Sequence, residues 1–171
     1  MIKIKKNFLS LKEHKELFDI VSGTHFPYYA KPYQTKFIKT KNKNEHLLQH
    51  ILMEEERINS DYFEKLIVPF ALKLSIEKML HARLNLIVNQ NKPYASAWHI
   101  DFINRKEELE KSHTAVYYFN TNNGATEIKG HKKIKSIKNQ IVIFPSKLQH
   151  RSIQQTDTTF RWVLNLNYLP K

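Results

Sequence analysis

From His81 onward the chain is written in short runs rich in β-branched and aromatic residues, each closed by a turn signal. The runs are HARLNLIV, SAWHIDF, HTAVYYFN, ATEIKG, KIKSIK, QIVIFP, LQHRSIQQ and TFRWVLNLNYLP, with Asn122-Asn123-Gly124 and Lys138-Asn139 as the clearest turns between them. About eight short strands over roughly ninety residues predict a jelly roll or a related double-sheet barrel. The first half reads differently. Ser10 is placed to cap a helix through Leu17, Phe18 and Ile20 that stops near Gly23, and Glu13 stands where a capping box needs it. THFPYYAKPYQ predicts an irregular packed loop, and helical periodicity is read over Glu45 to Glu56 and again from Ser60 to about Leu80, where Pro69 should kink or restart the helix. The expectation is an α+β chain of one domain, residues 1–171. Residues 1–80 supply mainly helical support and an aromatic loop, and residues 81–171 supply the jelly-roll core.

Alternation within two of the strands is informative. In the last, Trp162, Leu164, Leu166 and Tyr168 share one face, and Arg161, Val163, Asn165 and Asn167 the other; in the first, Ala82, Leu84, Leu86 and Val88 oppose Arg83, Asn85 and Ile87. The apolar faces are expected to pack on helices. If the polar faces point inside the roll, they line a wet pocket.

Composition removes several function classes. With no cysteine there is no thiol nucleophile, zinc ribbon or disulfide framework. Lysines open the chain as in a signal peptide, but Asn7, Ser10 and Lys12 interrupt the apolar stretch that would follow. The longest apolar run, Leu66 to Leu72, contains Pro69 and falls far short of the ~20 residues of a membrane span. A soluble, cytoplasmic protein without membrane contact is expected. The formal charge of +12 invites a nucleic-acid reading, yet the excess is almost all Lys and is scattered along the chain. Arg, the better reader of phosphates and bases, is confined to Arg57, Arg83, Arg105, Arg151 and Arg161, so nucleic acid is the less favoured partner.

Chemistry concentrates in Trp98-His99-Ile100-Asp101-Phe102. On a strand, residues two apart project from the same face, so the His99 imidazole and the Asp101 carboxylate can reach one metal. His113, His131 and His150 follow. His150 is the best placed, beginning a strand just after the apolar run Ile141 to Phe144 and the turn at Pro145-Ser146, with Arg161 eleven positions on. Two His and one carboxylate on one face of an octahedron leave the other face open for a co-substrate and oxygen. The remaining histidines, His14, His25, His46, His50, His81, His113 and His131, are read as non-ligands.

At this point the sequence resembles the 2-oxoglutarate- and iron(II)-dependent oxygenases of the prolyl-4-hydroxylase-like type, including small versions found in phages of marine bacteria. WHIDF, TAVYYFNTNNGATEI, NQIVIFPSKLQH and FRWVLNLNY carry the resemblance in that order, and it reaches back to FPYY at Phe26 to Tyr29. It implies a double-stranded β-helix (jelly roll) with the N-terminal helices on one side, and His99, Asp101 and His150 as ligands of Fe(II). It implies Arg161 as partner of the C5 carboxylate of 2-oxoglutarate, with the Tyr118 hydroxyl joining that contact and Tyr117 facing away. It further implies O2 as co-substrate, ascorbate as an accessory reductant, and a phage- or bacterium-encoded enzyme working in the host cytoplasm. Asn85, Asn165 and Asn167, from the polar faces, are added as residues hydrogen bonding co-substrate or substrate.

The implied reaction couples decarboxylation of 2-oxoglutarate to succinate with hydroxylation of a small molecule or peptide, a prolyl or other amino-acid side chain among the open choices. Similarity to prolyl hydroxylases does not fix the substrate, because the pocket mouth decides it. Tyr94 and Trp98 stand where they can border that mouth, and the charged segment Ile103 to Ser112 where it can cover it. Two other readings stay open: a cupin-like metal-binding isomerase or sensor, and a basic nucleic-acid-binding module. Oligomeric state is not legible.

Overall fold

Ser10 and Glu13 start the first helix by satisfying each other. The Ser10 hydroxyl accepts from the Glu13 amide at 3.2 Å, and the Glu13 carboxylate accepts from the Ser10 amide at 2.7 Å. The computed structural model describes residues 1–31, 47–101 and 106–171. In chain order they form β1 (Lys3–Lys5), α1 (Leu11–Val21), β2 (Tyr29–Lys31), β3 (Leu47–Glu54), β4 (Arg57–Ile58), α2 (Phe63–Leu74) and β5 (Ile76–Val88). There follow α3 (Lys106–Lys111), β6 (His113–Tyr118), β7 (Ala125–Ile128), β8 (Ile134–Lys135), β9 (Gln140–Pro145), β10 (His150–Ile153) and β11 (Phe160–Pro170).

The larger sheet has the order β1-β9-β6-β11-β5-β3-β2, with β4 added on β3, and the smaller has the order β10-β7-β8. Two apolar layers hold these parts together. On one side of the larger sheet, Leu17 and Val21 of α1 and Leu66, Ile67 and Phe70 of α2 pack on Ala82, Leu84, Tyr117, Leu164 and Leu166. On the other side, Ile87, Val116, Tyr118, Val142, Phe144 and Val163 meet Ile128 and Ile134 of the smaller sheet. The result is the expected jelly roll, a double-stranded β-helix with N-terminal helices against one face. Among the described residues no helix is long and apolar enough to cross a membrane.

The alternation of β5 and β11 is realised in the sheet. Trp162, Leu164, Leu166 and Tyr168 face the helices with Ala82 and Leu84. In the ladder between the two strands, Arg161 pairs with Ile87, Val163 with Asn85 and Asn165 with Arg83, which turns a polar strip toward the smaller sheet.

The first eighty residues depart from the helical expectation. Glu45 to Glu56 is expected to be helix; of its described part, Leu47–Glu54 is β3, paired with both β2 and β5, and Glu55 and Glu56 form the turn after it. The cause is a bulge. Ile51 pairs with Arg83 and Met53 with Ala82, so Leu52 is an extra residue in the strand. The break in alternation leaves Leu47, Leu48, Ile51 and Leu52 at spacings that imitate a helical stripe. The helix expected from Ser60 to Leu80 is α2 alone; it runs on through Pro69 and ends at Ser75, whose φ of 51° is left-handed. The remaining residues belong to β5, whose Ile76 and Met79 pack on the same core as α2 and so continue its apolar pattern. SAWHIDF is not a continuous strand either: in its described part His99 forms an isolated bridge with His150 and Asp101 lies in a bend. Of KIKSIK only Ile134–Lys135 is paired.

Candidate functional site

His99 and His150 are joined through their backbones before any ligand is considered. The amide of each donates to the carbonyl of the other, at 3.0 and 2.9 Å, and their rings lie 4.7 Å apart. Each ring is oriented by its own chain: Nδ1 of His99 lies 2.9 Å from the Ala97 carbonyl, and Nδ1 of His150 lies 3.3 Å from the Leu148 carbonyl. With Nδ1 donating, Nε2 carries the free lone pair on both rings. Asp101, two residues beyond His99, brings its carboxylate to the same point. Oδ2 lies 3.3 Å from Nε2 of His150, and Oδ1 lies 3.6 Å from Nε2 of His99.

One donor atom from each residue falls within 4.8 Å of the others. Asp101 Oδ2 and His150 Nε2 are buried without a hydrogen-bond partner. Two acceptors facing one another out of water are costly unless a cation stands between them, so this donor set fits a metal. Nitrogen and oxygen donors without sulfur suit iron(II). Burial alone would raise the Asp101 pKa; the Arg83 guanidinium beside it overcomes burial and holds the carboxyl well below its ordinary range. Asp101 is therefore a carboxylate at neutral pH.

Arg161 lies in the same cavity as the three ligand candidates. Arg161 is 1% exposed, and Nη1 donates to the Ile153 carbonyl at 2.9 Å and to the Ser152 hydroxyl at 3.2 Å. Nε is buried without a partner, and no carboxylate among the described residues pairs with the guanidinium. Burial lowers its pKa and Tyr118 acts the other way. A buried guanidinium in this condition fits an anionic ligand, and its planar fork suits a carboxylate. Tyr118 sits beside it, with the guanidinium carbon 5.5 Å from the ring centre, while the tyrosine hydroxyl donates to Thr126 at 2.7 Å. Tyr117 points the other way, toward His14 and the helices.

The asparagines divide. Asn85 and Asn165 line the cavity; Asn85 accepts from Gln49 at 2.8 Å, and the side-chain oxygen of Asn165 is buried without a partner. Asn167 is not in the cavity wall, and its amide nitrogen donates to Thr114 at 2.8 Å. Trp98 lies under Arg151, whose guanidinium is 4.4 Å from the ring centre and whose Nε donates to Glu127 at 2.6 Å. Among the histidines read as non-ligands, His14 and His50 are held by Tyr117 and by Pro27 and Ser60, and His46 lies outside the described residues. Of the segment Ile103 to Ser112, residues 103–105 lie outside the described residues and most of the rest forms α3.

The sequence did not single out Arg83 for the site, yet its Nη2 donates to Asp101 Oδ1 at 2.6 Å and its side chain lines the cavity. The available signal was its place on the inward face of β5, two residues from Asn85. Gln49 was missed as well, because the bulged β3 was read as helix.

Residues 86–169, which include His99, Asp101, His150 and Arg161, match the profile of the 2OG-Fe(II) oxygenase superfamily. No curated protein matches the chain in sequence. Among solved structures, a prolyl hydroxylase from Trichoplax adhaerens in complex with a peptide of the hypoxia inducible factor oxygen degradation domain superposes with a TM-score of 0.68 at 15% identity, covering 98% of this chain and 83% of that one. A prolyl-4-hydroxylase from Pseudomonas putida gives 0.60 at 12% identity, with 99% and 92% covered. The α-ketoglutarate-dependent epimerase SnoN of nogalamycin biosynthesis gives 0.68 at 10%, with 99% and 78% covered. At these identities the likeness is one of fold.

Proposed function

This chain belongs to the 2OG-Fe(II) oxygenase superfamily, and from that premise we propose that His99, Asp101 and His150 hold the iron while Arg161 receives the far carboxylate of 2-oxoglutarate. When bound, iron, 2-oxoglutarate and O2 supply the oxidising power, with 2-oxoglutarate converted to succinate and carbon dioxide as a C–H bond of the substrate is hydroxylated. The protein's part is placement. His99 and His150 present Nε2 because their Nδ1 atoms are tied to backbone carbonyls, and Asp101 arrives already ionised. Arg161 sets the reach of the co-substrate from the depth of the cavity, Tyr118 packs beside it, and Asn85 and Asn165 offer amides along the way. Asn167 donates to Thr114 and so supports β6.

The observation that carries this reading is the coexistence, in one cavity, of a partnerless buried carboxylate oxygen facing histidine nitrogens and a buried guanidinium paired with no carboxylate of the described residues. A cupin-like isomerase or sensor would account for the first and leave Arg161 without a counter-ion. A nucleic-acid module would account for neither. The substrate is a small molecule or a peptide; a peptide is bound by the Trichoplax relative.

The test is made first without oxygen. Fe(II) protein mixed with 2-oxoglutarate should develop the visible charge-transfer band of a chelated keto acid, and it should be missing from His99→Ala and His150→Ala. With oxygen admitted, both variants should form no iron-dependent succinate. Turnover equal to the unaltered protein in either variant would overturn the ligand assignment.

A further inference from the structure

Among the described residues, Arg83 has more donors than its partners use. Nη2 is committed to Asp101 Oδ1 at 2.6 Å, whereas Nε is buried with no partner. Among the described residues Asp101 is its ion-pair partner, and that carboxylate is the one anion in the cavity wall. Arg151, also in the wall, is already neutralised by Glu127 at 2.6 Å. The single charge of Asp101 is thus claimed twice, by Arg83 and by the cation that the histidines and Asp101 are arranged to hold. The two charges of 2-oxoglutarate are likewise claimed, one end by the ligand set and the other by Arg161. Once the site is loaded, Arg83 is the guanidinium whose countercharge no described residue of the cavity wall supplies. A half-compensated cation away from bulk water is costly, and a bound anion removes that cost.

We propose that Arg83 anchors an anionic group of the substrate, a carboxylate or a phosphoryl group carried within a few bonds of the carbon that is hydroxylated. The proposal rests on the iron site assigned above. Exposure separates the roles of the two arginines: the Arg83 side chain lines the cavity and is 21% exposed, whereas Arg161 is 1% exposed and held at the cavity floor. Asp101 holds the Arg83 guanidinium in place before the substrate arrives, which lowers the entropy lost on binding. Because that contact is to a ligand residue, an anion on Arg83 lies beside the reacting centre. Asn165, opposite Arg83 in the ladder, adds an unpartnered amide oxygen for a neighbouring donor on the same molecule. A free acid meets these groups; an uncharged residue inside a peptide does not.

Minimal anions test this without knowledge of the substrate. Co(II)-loaded protein saturated with 2-oxoglutarate is titrated with sodium acetate and, separately, with inorganic phosphate in chloride-free buffer, followed by calorimetry and by the visible Co(II) spectrum. One of the two should bind, and Arg83→Met should weaken it roughly tenfold to a hundredfold, as loss of a charge-assisted hydrogen bond predicts. Arg83→Lys, which keeps the charge but not the fork, should fall between. Acetate binding assigns a carboxylic acid, and phosphate binding a phosphoryl compound. The proposal is overturned if neither anion binds the unaltered protein, or if Arg83→Met binds as tightly, as it would were the anion simply on the metal. Should Arg83→Met release its Co(II), Arg83→Lys decides, and anion affinity unchanged in it overturns the proposal. Failure of the unaltered protein to take up Co(II) or 2-oxoglutarate would instead remove the iron-site reading on which this one stands.

Discussion

Gly124 and Arg161 are packed so closely that a Cβ on Gly124 would stand 3.1 Å from Cδ of Arg161. The same Cβ would lie 3.1 Å from the Ile153 carbonyl oxygen, which accepts from Arg161, and 2.8 Å from the Asn122 side-chain oxygen. Gly124→Ala therefore presses on the guanidinium and on its anchor together. Its expected cost is about 1–3 kcal/mol of stability, the usual price of overpacking, with weaker 2-oxoglutarate binding. Thermal melts and titration of Co(II) protein with 2-oxoglutarate measure both; unchanged affinity would mean the loop yields instead of the arginine.

Arg161→Met should separate stability from binding. In the protein without ligand it removes a buried, uncompensated charge, so the melting temperature is expected to hold or rise, by about 1–4 kcal/mol of added stability at most. Affinity for 2-oxoglutarate should fall by on the order of a hundredfold while Co(II) affinity stays near that of the unaltered protein. A large loss of stability in the ligand-free variant would show that the guanidinium is mainly structural.

Metal should stabilise the fold through Asp101. At a hundred times its dissociation constant, a ligand that binds only the folded state adds about 2.7 kcal/mol. Co(II) is expected to raise the melting temperature of the unaltered protein, and Asp101→Ala to abolish the rise. If Co(II) raises both equally, it binds elsewhere.

His14 makes stability depend on pH. It is buried, its Nδ1 lies 2.7 Å from the Tyr117 hydroxyl, and that hydroxyl donates to Asn139 at 3.0 Å. The imidazole is therefore the donor to Tyr117, and Nε2 has no acceptor in reach for a second proton. Burial, then the charge of Lys138, lowers its pKa, and burial lowers those of His81 and His113. Below about pH 6.5 the unfolded chain binds protons that the folded chain refuses. Stability is thus full above that pH and declines as the pH falls from there through the depressed folded values. Urea unfolding at stepped pH should show the decline, with a shallower slope for His14→Gln; an identical slope would assign the effect to the other histidines.

Much of this molecule was legible because a few residues carry local information. Ser10 and Glu13 announce α1 through their own hydrogen bonds, and the alternation of β11 separates Arg161 from Trp162 with no knowledge of the partner strands. His99, Asp101, His150 and Arg161 meet in one cavity because the turns between the strands bring them there. The misreadings share one cause, which is that apolar spacing reports which residues are buried, not by what geometry. The extra residue at Leu52 made a strand count like a helix, and Ser75 ended α2 where Ile76 and Met79 prolonged its stripe. Arg83 escaped notice because its importance lies in a partner 18 positions away, across a segment that is not a regular strand.

The backbone bridge between His99 and His150 gives the cation a topological task. It fastens the segment after β5 to the start of β10, and hence to the edge of the smaller sheet, by two amide hydrogen bonds. An ion gripped by both side chains and by Asp101 closes the same ring a second time, as a crosslink does, and denies the unfolded chain the freedom of the residues between. Loss of iron should therefore be felt first as fraying of β10 from the segment before Asp101, readable as faster amide exchange at His99 and His150 while β6 and β11 stay protected.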